Sequence, residues 1–206
     1  MSYLRSDIRT EVRDNLYETT ADLFTNDQLN RCIRRVIRRL PRHNIYLEEI
    51  HTTTTVVDQL DYVLPTGTLE VELVERNWGT ASKPDWKEEK GWQAYGGVLY
   101  LSERPTVTWT LRAHLRKSFT DLSDDVATSD IPDDKMEVVV WGASVEAYKL
   151  LMGYFTDAKN WDAIAKPDGI SMNQIVNWLK DAREMYKDAI KLYKTVPKPR
   201  DIDLVG

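Results

Sequence analysis

Residues 51–65 read HTTTTVVDQLDYVLP, and whether they form helix or strand decides the fold class. β-Branched side chains lose rotamer freedom in a helix and pack well on a pleated surface, so the threonine run with Val56 and Val57 predicts a strand. Pro65 cannot donate to an interior ladder, so it ends a second strand over DYVLP. Further along, LEVELVERN (69–77), GGVLYL (96–101) and TVTWTLRAHLR (106–116) repeat the short apolar or alternating runs. In the last of these, Val107, Trp109, Leu111, Ala113 and Leu115 share one face, which predicts a buried side. Thr108, Thr110, Arg112, His114 and Arg116 share the other, which predicts a wet side. Gly96-Gly97 falls where a tight hairpin turn needs positive φ. Four or five strands are expected.

Helical patterns flank this excursion. LRSDIRTEVRDNLYE (4–18) spaces Leu4, Ile8, Val12 and Leu16 four apart, one narrow stripe of an amphipathic helix. Thr25-Asn26-Asp27-Gln28 reads as a capping box, and Leu29, Ile33, Val36, Ile37 and Leu40 then mark one helical face that Pro41 limits. On the other side, the polar connector FTDLSDDVATSDIPDD (119–134) leads to Pro132, a good first-turn residue. From Met136 to Phe155, apolar residues cover most of the helical circumference, which predicts a helix buried on several sides. A loop with Trp161, Pro167 and Gly169 follows, then a capping box at Ser171–Gln174. The fourth helix has an apolar face of Ile175, Trp178, Leu179, Ala182, Met185, Tyr186, Ala189, Ile190 and Tyr193. Pro197 and Pro199 force VPKPRDIDLVG (196–206) towards an extended arm. The expected class is α+β. Residues 1–44 and 131–194 are expected to form a bundle of about four helices. An antiparallel β subdomain with its acidic linker is inserted at 45–130, and 195–206 extend as an arm.

With 206 residues, 42% hydrophobic and 30% charged, the chain has the composition of a folded globular protein rather than a disordered one. No run approaches the roughly 18 apolar residues of a membrane span, and the first ten residues lack the apolar stretch of a secretory signal, so the expected address is cytoplasmic. The single cysteine, Cys32, excludes an intrachain disulfide and any CxxC site. Three histidines, His43, His51 and His114, sit in no HExxH, nucleophile elbow or triad-like setting, so neither an enzyme nor a cofactor or metal site is expected. Asp121, Asp124, Asp125, Asp130, Asp133 and Asp134 lack the spaced oxygens, glycine and closing glutamate of a calcium loop and read as a solvated connector.

Two stretches remain as candidate surfaces. The segment ERNWGTASKPDWKEEKGWQAYGG (75–97) carries Trp78, Trp86, Trp92 and Tyr95 among polar residues, without a phosphate-cradling glycine motif. That favours loop packing or subunit contact over stacking of a sugar or base. RCIRRVIRRLPR (31–42) packs six arginines into a chain of net charge −5. Arg31, Arg34, Arg35, Arg38 and Arg39 occupy the positions its apolar stripe leaves free. Asp7, Glu11, Asp14 and Glu18 of the preceding helix are at matching spacing, which favours carboxylate pairing, within or between subunits, over DNA contact.

Taken together, the order resembles the head-to-tail adaptor (head completion) proteins of tailed bacteriophages. LRSDIRTEVRDNL with FTNDQLNRCIRRVIRRL is similar to the family's helical hairpin. HTTTTVVDQLDYVLPTGTLEVELVERN is similar to its threonine-rich strand, turn and following strand. YGGVLYLSERPTVTWTLRAHLRK and LSDDVATSDIPDDKMEVVVWGASVEAYKLLM match its late strands, acidic linker and proline-started helix. The likeness spans about residues 4–155, and TTTT-V-DQ-YVLP is its most specific part. The 76–96 segment departs from it, being longer and richer in tryptophan. The resemblance implies a structural virion protein of the neck, assembled in the host cytoplasm. It implies a ring of about twelve copies that joins portal to tail and continues the DNA channel. The implied partners are the portal, a downstream tail or nozzle protein, further copies of the chain and passing double-stranded DNA, with no membrane and no small-molecule substrate. Portal contact is assigned to Val196, Pro197, Pro199, Arg200, Ile202, Leu204 and Val205. Trp78, Trp86, Trp92 and Tyr95 are assigned to a tail or neighbour, and Arg31, Arg34, Arg35, Arg38 and Arg39 to the channel or a subunit interface. The competing readings are a nucleic-acid-binding module that uses helix 31–42 and a hydrolase with no recognisable site.

Overall fold

The computed structural model describes residues 3–18, 23–122, 125, 129–156 and 172–194. Four α-helices and seven antiparallel strands among them make an α+β chain. The chain divides into two compact units, Met1–Ile45 with Thr120–Gly206, and Tyr46–Phe119.

The first unit holds α1 (Arg5–Asn15), α2 (Asn26–Ile37), α3 (Met136–Thr156) and α4 (Met172–Tyr193). Thr25 and Gln28 form the expected box: Gln28 N–H donates to Thr25 Oγ1 at 3.3 Å, and Thr25 N–H donates to Gln28 Oε1 at 2.7 Å. The α2 stripe is buried at Leu29, Cys32, Ile33, Val36 and Ile37, each position removing a side chain from water at about 1.5–3 kcal/mol when complete. α3 packs against α1, α2 and α4, which is why its buried residues run through Val138, Val139, Val140, Ala143, Val145, Ala147 and Leu151. Gly142 lets the helices approach: a Cβ there would lie 2.7 Å from Val36 Cγ1 and 2.9 Å from Tyr186 Cε2.

The second unit contains two sheets. Strands β1 (Leu47–Thr54), β3 (Thr68–Asn77), β4 (Trp86–Glu88) and β7 (Thr110–Lys117) pair in the order β1-β7-β3-β4. Strands β2 (Asp61–Val63), β5 (Trp92–Tyr95) and β6 (Val98–Leu101) pair as β2-β6-β5. The sheets share one core of Tyr62, Leu64, Val71, Val74, Leu99, Leu101, Leu111, Ala113 and Leu115. A bulge between Val71 and Leu73 places Val71 and Val74, three apart, on the buried side. In the opening stretch, the strand gives way to a turn at Asp58, whose φ is 64°. The Tyr62 hydroxyl donates to Gln59 O at 2.9 Å and accepts Val56 N–H at 3.2 Å, so the tyrosine of YVLP pins that turn. Gly96 and Gly97, at φ 61° and 78°, turn β5 into β6 as a two-residue hairpin.

Several expectations need correcting. The 76–96 segment is not all loop: β4 and β5 lie inside it, and at three and four residues both are too short to show a hydrophobic period. Leu47 rather than His51 opens β1. β7 begins at Thr110, leaving Val107 57% exposed before it. The polar face of β7 is covered rather than wet. Arg112 and His114 both reach Glu75 (2.7 and 2.5 Å), Arg116 pairs with Glu70 and Glu72, and Lys117 pairs with Glu49. The 157–171 loop with its Ser171 cap, and the arm at 195–206, lie outside the described residues.

Candidate functional site

The arginine face of α2 is only partly spent on pairing, and the acids of α1 are not its partners. On α1, Arg5, Arg9 and Arg13 recur every fourth residue and turn towards α2 and the connector. Arg9 donates to Asn30, Arg13 to Asn26 and the Phe24 carbonyl, and Arg5 and Arg9 pair with Asp125. Asp7, Glu11 and Asp14 therefore occupy the opposite flank. Glu18 is buried beside Arg13 at 2.6 Å and accepts the Leu23 and Phe24 amides, which closes the α1–α2 connection. Both flanks are regular in the sequence, and spacing alone does not say which one meets α2.

The arginines of α2 find carboxylates elsewhere. Arg35 and Arg39 reach Glu146 of α3 at 2.9 and 3.0 Å, where Lys149 joins at 2.6 Å. Burial works against the Glu146 charge, but hydrogen bonds from Lys149 and Arg35 and the nearby positive charges override it and hold its carboxyl down at about 2. Arg38 pairs with Asp121, and Asp125 pairs with Arg5 and Arg9, so these two acids of the connector are tied to the helices, while Asp133 and Asp134 are exposed as expected of a solvated connector. Arg31 donates only to the Asp27 carbonyl of its own helix, and Arg34 pairs with no carboxylate among the described residues. Two exposed guanidiniums of α2 are left over, and Arg42 beyond the helix end is a third exposed arginine without a carboxylate among the described residues.

The four aromatics of the 75–97 segment are not gathered in one place. Trp78 is 60% exposed and shares the Arg76 guanidinium, 4.3 Å from its ring, with Trp109 at 3.6 Å. Trp86 stacks on Arg112 at 4.4 Å, and Trp92 packs at the margin of the β core. Tyr95, 66% exposed, stacks on Tyr100 with ring centres 4.7 Å apart. A cleft of about 340 Å³ lies beside Arg76 and Trp109, with Glu89, Glu103 and Arg104 at its rim. The portal-contact residues Val196, Pro197, Pro199, Arg200, Ile202, Leu204 and Val205 lie outside the described residues.

One surface was missed by the sequence reading. Between α1, α3 and α4 runs an aromatic groove of about 280 Å³ lined by Tyr17, Trp141, Tyr148 and Trp178, with Asp14 and Asp181 at its edges. A neighbouring cavity of about 380 Å³ continues past Glu11 and Glu137. Tyr17 is held at φ 54° and is 73% exposed, its ring 5.8 Å from that of Trp178. A non-glycine residue in the left-handed region is uncommon and carries local strain. The Tyr148 hydroxyl donates to the Asn15 carbonyl at 2.9 Å. Burial raises the Glu11 carboxyl, and Asp14 and Asp7 add to that rise; burial raises the Tyr148 hydroxyl, with Tyr17 and Asp181 adding to it. Asp14, Glu137 and Asp181 form no ion pair among the described residues. The available signal was the acid flank of α1 together with Trp178 on α4, but nothing in the sequence joined them.

Among the described residues, no three or more His, Cys, Asp or Glu side chains stand where they would hold a metal ion, and no helix is long and apolar enough to cross a membrane. Cys32 is buried, and burial pushes its thiol up to about 11. Residues 1–166 match the model of the SU10 adaptor protein family. No curated protein matches the chain.

Proposed function

Because the chain belongs to the SU10 adaptor protein family, a head-to-tail adaptor family of phages, we propose that it forms a ring of about twelve copies between portal and tail. The packaged DNA passes through its centre. The role is structural, in the virion neck, and no turnover is involved. The observation that carries the reading is the extent of the match: residues 1–166 include the whole Tyr46–Phe119 unit and, of the first unit, α1, α2 and α3, with α4 beyond its end.

The C-terminal arm is the portal contact. Its prolines stiffen it and reduce the entropy lost on docking, and Val196, Ile202, Leu204 and Val205 offer the apolar surface. Exposed Trp78 and Tyr95 suit a tail or neighbour contact, because amphipathic aromatics bury well in interfaces. The pairing of Arg35, Arg38 and Arg39 disfavours helix 31–42 as a stand-alone DNA-binding element, since carboxylates already take half of its six positive charges. In the ring, that helix face belongs to the channel or to a subunit boundary. Deleting 196–206 is expected to abolish co-sedimentation with portal while leaving the thermal unfolding of the chain unchanged; a truncation that still co-sediments contradicts the arm as the contact.

A further inference from the structure

We propose that the aromatic groove between α1, α3 and α4 receives the unpaired arginines Arg31 and Arg34 of a second copy of this chain, making a head-to-tail contact; this rests on the ring reading above. The groove offers what a guanidinium takes. Tyr17 and Trp178 present ring faces, Asp14 and Asp181 present carboxylates without a cationic partner among the described residues, and Glu11 and Glu137 extend the negative edge. The α2 face offers the matching half: Arg31 and Arg34 are exposed and carry no carboxylate, while their neighbours Arg35, Arg38 and Arg39 are committed within the chain. Charge is therefore left unbalanced on two separate surfaces, negative on one and positive on the other.

Their placement fixes the kind of contact. Trp141 and Tyr148, seven residues apart, share the groove side of α3. Gly142 and Glu146, which meet Val36 and Arg35 of α2, lie about 100–160° further round the helix. α2 packs on that side of α3 through Val36, and Arg31 and Arg34 lie on the side of α2 opposite its buried stripe of Leu29, Ile33, Val36 and Ile37, so the arginine face points away from α3 and from the groove. Two different, outward-opposed surfaces cannot make a self-complementary two-fold pair. They make a heterologous contact that leaves one groove and one arginine face open at the ends, and such contacts close into a ring when the rotation per copy divides the circle. Tyr17, strained and projecting beside Trp178, gives the contact a ring face on which to stack.

The test uses the full chain with two sets of reversals at exposed positions, R31E/R34E and D14K/D181K, each checked for unchanged thermal unfolding. The neutral pairs R31Q/R34Q and D14N/D181N stand behind them. Sedimentation of the wild type is expected to show concentration-dependent association that weakens with salt, and each reversal alone is expected to weaken it at least about tenfold. A one-to-one mixture of the neutral variants R31Q/R34Q and D14N/D181N retains one good groove and one good arginine face, and the remaining pair of faces carries no complementary charge, so it is expected to give dimer and nothing larger. Wild type that associates while the reversals change nothing, or a mixture that yields no dimer, overturns this surface and leaves the ring standing. Wild type that stays monomeric up to millimolar concentration overturns both, whereas the neck position is read independently in particles.

Discussion

Glu146 holds the most heavily used charge in the helical unit. Its side chain is 6% exposed and takes Arg35, Arg39 and Lys149, which are each about half exposed. Removing the carboxylate frees three cations that water then reaches, so the loss is smaller than for a fully buried pair. Glu146→Gln is expected to lower unfolding free energy by about 1–2 kcal/mol. The pH dependence follows from the depressed carboxyl. Its contribution is whole above the ordinary value of 4.5 and disappears as pH falls towards about 2. The urea midpoint of the wild type is therefore expected to fall more steeply over that window than that of the variant, and parallel curves would contradict the assignment. At this scale the sequence exposes local partners and hides distant ones. Thr25 and Gln28, three apart, are legible as a cap because the bond closes within one turn. Arg35 and Glu146 are 111 residues apart, and no spacing rule joins them.

Among elements, long periodic helices are the most legible. The end of α2 near Pro41 and the run from Met136 follow from stripes and punctuation, and the all-round apolar pattern of α3 signals its three helical neighbours. The strands with apolar faces, β3, β6 and β7, are equally visible. β4 and β5 are not, because three or four residues at an edge are too few to show an alternation, and the β3 bulge is hidden because it breaks the period of two. Gly142 tests the packing of α3. Alanine normally stabilises a helix interior by about 1 kcal/mol over glycine, but here its Cβ would meet Val36, whose branched side chain has little freedom to move. Overpacking is expected to win, with Gly142→Ala losing about 1–2 kcal/mol net in chemical denaturation. A more stable variant would contradict the close approach of α2, α3 and α4.

For the whole molecule, the question raised by TTTTVVDQLDYVLP was whether strands interrupt a helical chain, and the Tyr46–Phe119 unit answers it. The interaction surfaces were only half legible. The arginine run was visible, but its leftover charge, Arg31 and Arg34, emerges only after the carboxylates are assigned in space. The groove that complements it is built from three helices. The ring proposed above sets copies of this chain around the DNA path at the junction of head and tail. Electron microscopy of phage particles carrying a label on this chain tests that most directly. Density confined to the neck, between portal and tail, is the expected result. Label on the capsid shell, along the tail or at its tip would contradict it.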